Sequence, residues 1–162
     1  MDAAPLLILI AKSLAQCRLE AILIGNAAAA LHGAPVTTLD FDFFFRKTPA
    51  NLQKLKMFAD SLNAVILRPY YPASGLYRVV NEDRGLQVDF MSAIHGCSSF
   101  ASLRSRAESI TLDGFSLFIA SLDDIIHSKR AAKRPRDIAV LEILEKTLNE
   151  KKQRQKEKAA SA

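Results

Sequence analysis

Asp40 and Asp42 stand two residues apart in the run Leu39-Asp-Phe-Asp-Phe-Phe-Phe45, and Asp89 interrupts a second apolar run at Val88-Asp89-Phe90. A short aromatic run of this kind reads as a strand, and alternate strand residues point to one side, so Asp40 and Asp42 share a face. Adjacent carboxylates among phenylalanines are costly unless something cationic neutralises them. Oxygen-only ligands suit a hard divalent ion, magnesium above all. The chemistry that needs such a set is phosphoryl or nucleotidyl transfer. Charge on a polyphosphate must be neutralised and the attacking and leaving oxygens held in line, and two carboxylate-ligated magnesium ions do both. A third carboxylate on an adjacent strand closes the site and accepts the proton of the attacking hydroxyl, which is the role Asp89 fits. Gly25-Asn26, at a strand-to-helix turn, adds exposed backbone amides where phosphate is favoured.

Each piece also has a plainer reading. Asp40 caps a turn, or Asp42 pairs with Arg46 or Lys47; Asp89 alone is more often a salt-bridged or edge-strand residue; Gly25 alone is a routine turn. A lone DxD is a weak motif, so the argument rests on order and spacing taken together.

The elements that must position these residues follow from periodicity and punctuation. Helical spacing covers 5–17, and the apolar run 20–24 reads as a buried strand ending at Gly25. Asn26 can cap a helix over 27–31, ended by Gly33 and Pro35. The second strand is 39–45, and Thr48-Pro49 opens a helix to about Leu62. A strand at 64–67 is closed by Arg68-Pro69, and 77–80 with 86–91 reads as a hairpin around 81–85. A short helix is expected over 100–106, then strands 109–112 and 115–119 flanking the turn Asp113-Gly114. Ser121 caps a helix to about Lys133, with Asp123 and Asp124 in its first turn; Arg134-Pro135 breaks it, and a last helix runs 136–148. This is an α/β or α+β domain, a mixed sheet with helices packed on it, over 1–148, with a charged, flexible tail at 149–162.

Composition sets outer bounds. A chain of 162 residues with 49% hydrophobic residues suits one domain with a sizeable core. Cys17 and Cys97 are far apart and without CxxC, so they fit neither a zinc site nor a disulfide framework, and a reducing cytoplasm is the expected compartment. The apolar run 5–10 lacks a basic leader and is too short to span a bilayer, so no membrane partner is expected. The net charge of +5 is concentrated at 129–136 and 146–158. That favours polyanions, or is simply a solvated surface. His32 either touches substrate or interacts with helix C-terminal carbonyls. His95 and His127 have no partners at metal spacing. Tyr70, Tyr71 and Tyr77 stack a base or, more commonly, pack; Phe43, Phe44 and Phe45 are core.

The combination resembles the nucleotidyltransferase superfamily, with its polymerase-beta-like fold. The resemblance is carried by Ile22-Leu-Ile-Gly-Asn-Ala-Ala-Ala-Ala-Leu-His-Gly33, then Thr37-Thr-Leu-Asp-Phe-Asp-Phe43, then Gln87-Val-Asp-Phe-Met91. It covers roughly residues 5 to 145. The segment before the DxD strand, with 121–130 and 133–137, looks like the branch of minimal nucleotidyltransferases and abortive-infection type toxins. The resemblance implies Asp40 and Asp42 as metal ligands and Asp89 as third ligand and base. Gly25 and Asn26 would hold the triphosphate, and Lys129, with Arg134 or Arg136 beside it, would neutralise phosphate. It implies two Mg2+ ions, ATP or another nucleoside triphosphate as donor, and a hydroxyl of RNA, protein or a small molecule as acceptor. An antitoxin is an implied protein partner. Two departures stand out. Asn26 replaces the usual glycine or serine, and Val36 or Thr37 stands where the branch often has arginine. They support the alternative of a catalytically degenerate nucleotide-binding or protein-interaction module. A third reading, a plain nucleic-acid-binding domain using the basic C-terminal third, leaves the three aspartates unexplained.

Overall fold

The computed structural model describes residues 3–38, 40–67 and 75–161. Its elements in chain order are α1 (Ala4–Cys17), β1 (Ala21–Ile24), α2 (Gly25–Leu31), β2 (Phe41–Phe45), α3 (Pro49–Ser61) and β3 (Val65–Leu67). There follow β4 (Leu76–Asn81), β5 (Leu86–Met91), α4 (Phe100–Arg106), β6 (Glu108–Leu112), β7 (Phe115–Ile119), α5 (Leu122–Ala132) and α6 (Pro135–Ser161).

Local signals decide most of these boundaries. The Thr48 hydroxyl accepts from the Asn51 amide at 3.1 Å, and Pro49 follows in the first turn. Ser121 accepts likewise from the Asp124 amide at 3.1 Å. Asp113 and Gly114 both take positive φ, 49° and 83°, the left-handed pair that a tight hairpin requires. Lys133 closes α5 in the left-handed region, and Pro135 opens α6. Arg68, Pro69, Tyr70 and Tyr71 lie outside the described residues, and so does Leu39.

The strands form one mixed sheet in the order β3-β4-β5-β2-β1-β7-β6. β1 runs antiparallel to β2 and parallel to β7, while β2 and β5 are parallel. On one face of β2 and β5, Phe41, Phe43 and Phe45 stand beside Val88 and Phe90, with Phe43 and Phe90 stacked at 5.5 Å. Phe58 of α3 closes on Phe90 edge-on at 5.2 Å, and all these rings are buried. Alternation then forces Asp42 and Asp89 to the opposite face, which this apolar layer does not reach. The reading of Phe43, Phe44 and Phe45 as core is borne out.

The last helix departs from expectation. It continues past Leu148 to Ser161, where the sequence reading placed a flexible tail. No helix among the described residues is long and apolar enough to cross a membrane.

Candidate active site

Three strands and one helix corner build the site. Parallel pairing of β2 with β5 puts Asp42 directly beside Asp89, and parallel neighbours in register point the same way. Asp40 lies just ahead of β2, exposed, with its backbone N–H donating to the Thr38 hydroxyl at 3.1 Å. Gly25 takes φ +68° at the β1-to-α2 turn, and a Cβ there would meet Asp42 Oδ2 at 3.2 Å. Glycine is thus needed twice over, for the backbone conformation and for the close approach of the acid. Asp40, Asp42, Asp89, Gly25, Asn26 and Lys129 all line one cleft of about 570 Å³. The separate stretches of sequence therefore converge as expected.

Their partners differ from expectation. Among the described residues, the carboxyl groups of Asp40 and Asp42 have neither a hydrogen bond nor an ion pair. Arg46 and Lys47, alternative partners for Asp42, lie over the rings of Phe100 at 4.7 Å and Tyr77 at 5.8 Å instead. Tyr77 itself packs edge-on against Phe45. Burial, then the charges of Asp89 and Asp40, push the Asp42 carboxyl up to about 6, against the opposing pull of Arg136 and Lys129.

Asp89 is engaged. Arg78 of β4 donates through Nε to Oδ1 at 2.9 Å and through a terminal nitrogen to Oδ2 at 3.1 Å. The salt-bridged reading of Asp89 is therefore realised, by a residue the sequence reading did not single out. Among the described residues, no three His, Cys, Asp or Glu side chains form a ready ligand set for a metal ion. Of the three carboxylates, Asp40 and Asp42 are open and Asp89 is turned toward a guanidinium.

Two unpaired carboxylates with oxygen donors only, one of them half-buried and repelled by its neighbours, fit a hard divalent ion. Asp89 fits only if Arg78 lets go.

The α5–α6 corner supplies cations. Lys129, almost buried, donates to Asp137 at 3.3 Å, and Arg134 donates to the same carboxylate at 2.6 Å. Burial pushes Asp137 up, but the hydrogen bond from Arg134 and the charges of Lys129 and Arg134 outweigh it, and the net direction is down. Arg136 lines the cleft, exposed, with no ion-pair partner among the described residues. Asn26 turns Oδ1 inward to a buried position where it meets no donor. His95, given no role from sequence, also lines the cleft, while His127 packs against Gly96. His32 is buried and bonds the carbonyl of Ala120, not the cleft.

The family described as nucleotidyl transferase of unknown function (DUF2204) matches residues 4–160. Among solved structures, the antibiotic-resistance factor ANT(2'')-Ia superposes with a TM-score of 0.61 at 14% identity, covering 99% of this chain and 96% of that one. In its complex with adenylyl-2''-tobramycin the same factor gives a TM-score of 0.62 at 16% identity, over 92% and 91% of the two chains. A Thermotoga maritima protein assigned to the nucleotidyltransferases gives 0.57 at 19% identity, over 90% and 92%. At these identities the likeness is one of fold. No curated protein matches the chain in sequence.

Proposed function

We propose, because the chain belongs to this nucleotidyl transferase family, that it moves a nucleoside monophosphate from a nucleoside triphosphate to a hydroxyl in a magnesium-dependent reaction. The acceptor oxygen forms a bond to the α-phosphorus, the bond from that phosphorus to the bridging oxygen breaks, and pyrophosphate leaves. The single observation that carries this reading is the unpaired Asp40–Asp42 pair, with Asp42 half-buried, inside a cleft whose lining also carries Lys129 and Arg136. Asp40 and Asp42 would hold the magnesium ion, which when bound would neutralise phosphate charge and polarise the α-phosphoryl oxygens. Arg136, free of ion pairs among the described residues, would take a phosphate of the donor, with Lys129 held nearby by Asp137. Gly25 and Asn26 border the same space, where a ligand donor would satisfy the lone Asn26 oxygen. Asp89 would accept the hydroxyl proton.

The acceptor is a hydroxyl of RNA, protein or a small molecule. ANT(2'')-Ia supports the last, since its complex holds an adenylylated tobramycin. A toxin restrained by an antitoxin in the cytoplasm is the version with a macromolecular acceptor, and the free thiols of Cys17 and Cys97 fit that compartment.

The double variant Asp40→Asn with Asp42→Asn should stay folded and lose magnesium-dependent nucleotide binding in a calorimetric titration. Unchanged binding would refute the site. A second reading, a nucleotide sensor without turnover, is favoured by the engagement of Asp89 with Arg78. Transfer of radiolabelled nucleotide across RNA, protein and small-molecule acceptors separates the two, since a sensor binds tightly and transfers nothing.

A further inference from the structure

Arg78 and Asp89 face one another as a built pair. β4 and β5 are antiparallel with Arg78 in register with Asp89, so both side chains leave the sheet on the same face, the one that carries Asp42. The contact is a fork onto both carboxylate oxygens, at 2.9 and 3.1 Å. Asp89 is nearly buried, its side chain 10% exposed, whereas that of Arg78 is 40% exposed. A half-exposed surface pair contributes little to stability, but a bidentate pair with one buried partner fixes geometry. Nothing in the packing explains why an arginine should stand in this strand. Its neighbours along β4, Tyr77 and Val79, are both buried in the apolar layer.

We propose that Arg78 is a positioning residue that stands in for a second metal ion at Asp89. The inference rests on the metal-dependent transfer proposed above. Where a three-carboxylate site would share two ions, the guanidinium here already neutralises the third acid. The ion site is then built on Asp40 and Asp42 alone and holds one ion, not the two expected from the resemblance. Each carboxylate oxygen keeps a second lone pair beyond its bond to Arg78. Asp89 therefore remains able to accept from the hydroxyl of the acceptor, in an orientation the fork dictates. Lysine could not do this, since a compact ammonium cannot grip both oxygens in plane.

The full chain with α,β-methylene ATP and Mn2+ tests the idea, with bound ions counted by electron paramagnetic resonance. The wild type should bind one Mn2+ per chain. Asp89→Asn should leave that count, and the affinity within about two-fold, because Asp89 is not a ligand. Arg78→Met should expose Asp89 and raise the count to two, and it should lower kcat far more than it changes KM. Two ions on the wild type would overturn the proposal, and so would a roughly tenfold loss of Mn2+ affinity in Asp89→Asn. Should Arg78→Met not fold, the wild-type count and the Asp89→Asn affinity carry the test unaided. Failure of the underlying reading looks different: Asp42→Asn would then keep its Mn2+, and both proposals would fall together.

Discussion

The Asp42 carboxyl sits half-buried between two other acids, with burial and those charges lifting it from its ordinary 3.8 to about 6. A carboxyl that holds its proton more tightly folded than unfolded adds stability at low pH and loses it as pH climbs. The loss should therefore develop between 3.8 and about 6 and be complete above that. Allowing for partial solvent screening, the penalty at neutral pH is about 1–2 kcal/mol. Asp42→Asn should accordingly stabilise the metal-free protein by about that much at neutral pH and by little near pH 4. Urea melts at the two pH values check this, and an equal change at both would show that the charge is not responsible. The acids themselves were legible, because aspartates in aromatic strands are conspicuous. Arg78 too leaves a signal in the sequence. Pairing Asn81 with Leu86 across the hairpin sets Arg78 opposite Asp89 by counting alone. His95 left no such trace, since its place in the cleft wall depends on how the loop before α4 folds.

The hairpins, caps and breaks were readable because each is decided within a few residues. The pairing of β2 with β5, and of β1 with β7, joins segments far apart in the chain and rests on packing that no local pattern encodes. The same holds for α6. Beyond Leu148 it lacks an apolar stripe, and the sequence therefore read as solvated. Its hold on the domain is polar instead. The Ala120 carbonyl can only accept, so His32 donates to it through Nε2 at 2.7 Å. Nδ1 of the ring meets Lys151 Nζ of α6 at 2.8 Å, with the Glu108 carboxylate 3.3 Å away. His32 is almost wholly buried, so losing Lys151 removes one of the two polar partners of its Nδ1 and leaves the exposed Glu108 carboxylate alone. Lys151→Met should cost about 1–2 kcal/mol of stability. The neighbouring Lys152, paired with Asp123 at 3.7 Å with both side chains exposed, offers the control. Lys152→Met should cost under about 0.5 kcal/mol. Thermal melts of the two variants decide, and matching losses would mean that the His32 contact holds nothing.

Across the whole molecule, charge is arranged rather than merely accumulated. Around the cleft Arg78 answers Asp89, Lys129 and Arg134 hold Asp137, and Arg106 holds Asp124, while Asp40, Asp42 and Arg136 are left uncompensated. Acids and bases there are balanced, so the chain's net charge of +5 lies elsewhere, part of it along α6. A triphosphate approaching a neutral cleft meets two open carboxylates as well as one open guanidinium. Metal tips that balance toward attraction, so nucleotide binding should be lost in the presence of a chelator. Arg136→Ala should then weaken magnesium-dependent nucleotide binding about tenfold, the scale of one charge-assisted contact. Arg154 separates a local contact from the general field. It carries the same charge about 27 Å farther along α6, well beyond the roughly 10 Å over which salt screens exposed charges. Arg154→Ala should leave nucleotide affinity unchanged in fluorescence titrations at moderate salt. If the two variants weaken binding equally, the nucleotide responds to the protein's overall positive charge, and Arg136 has no special claim on the phosphate.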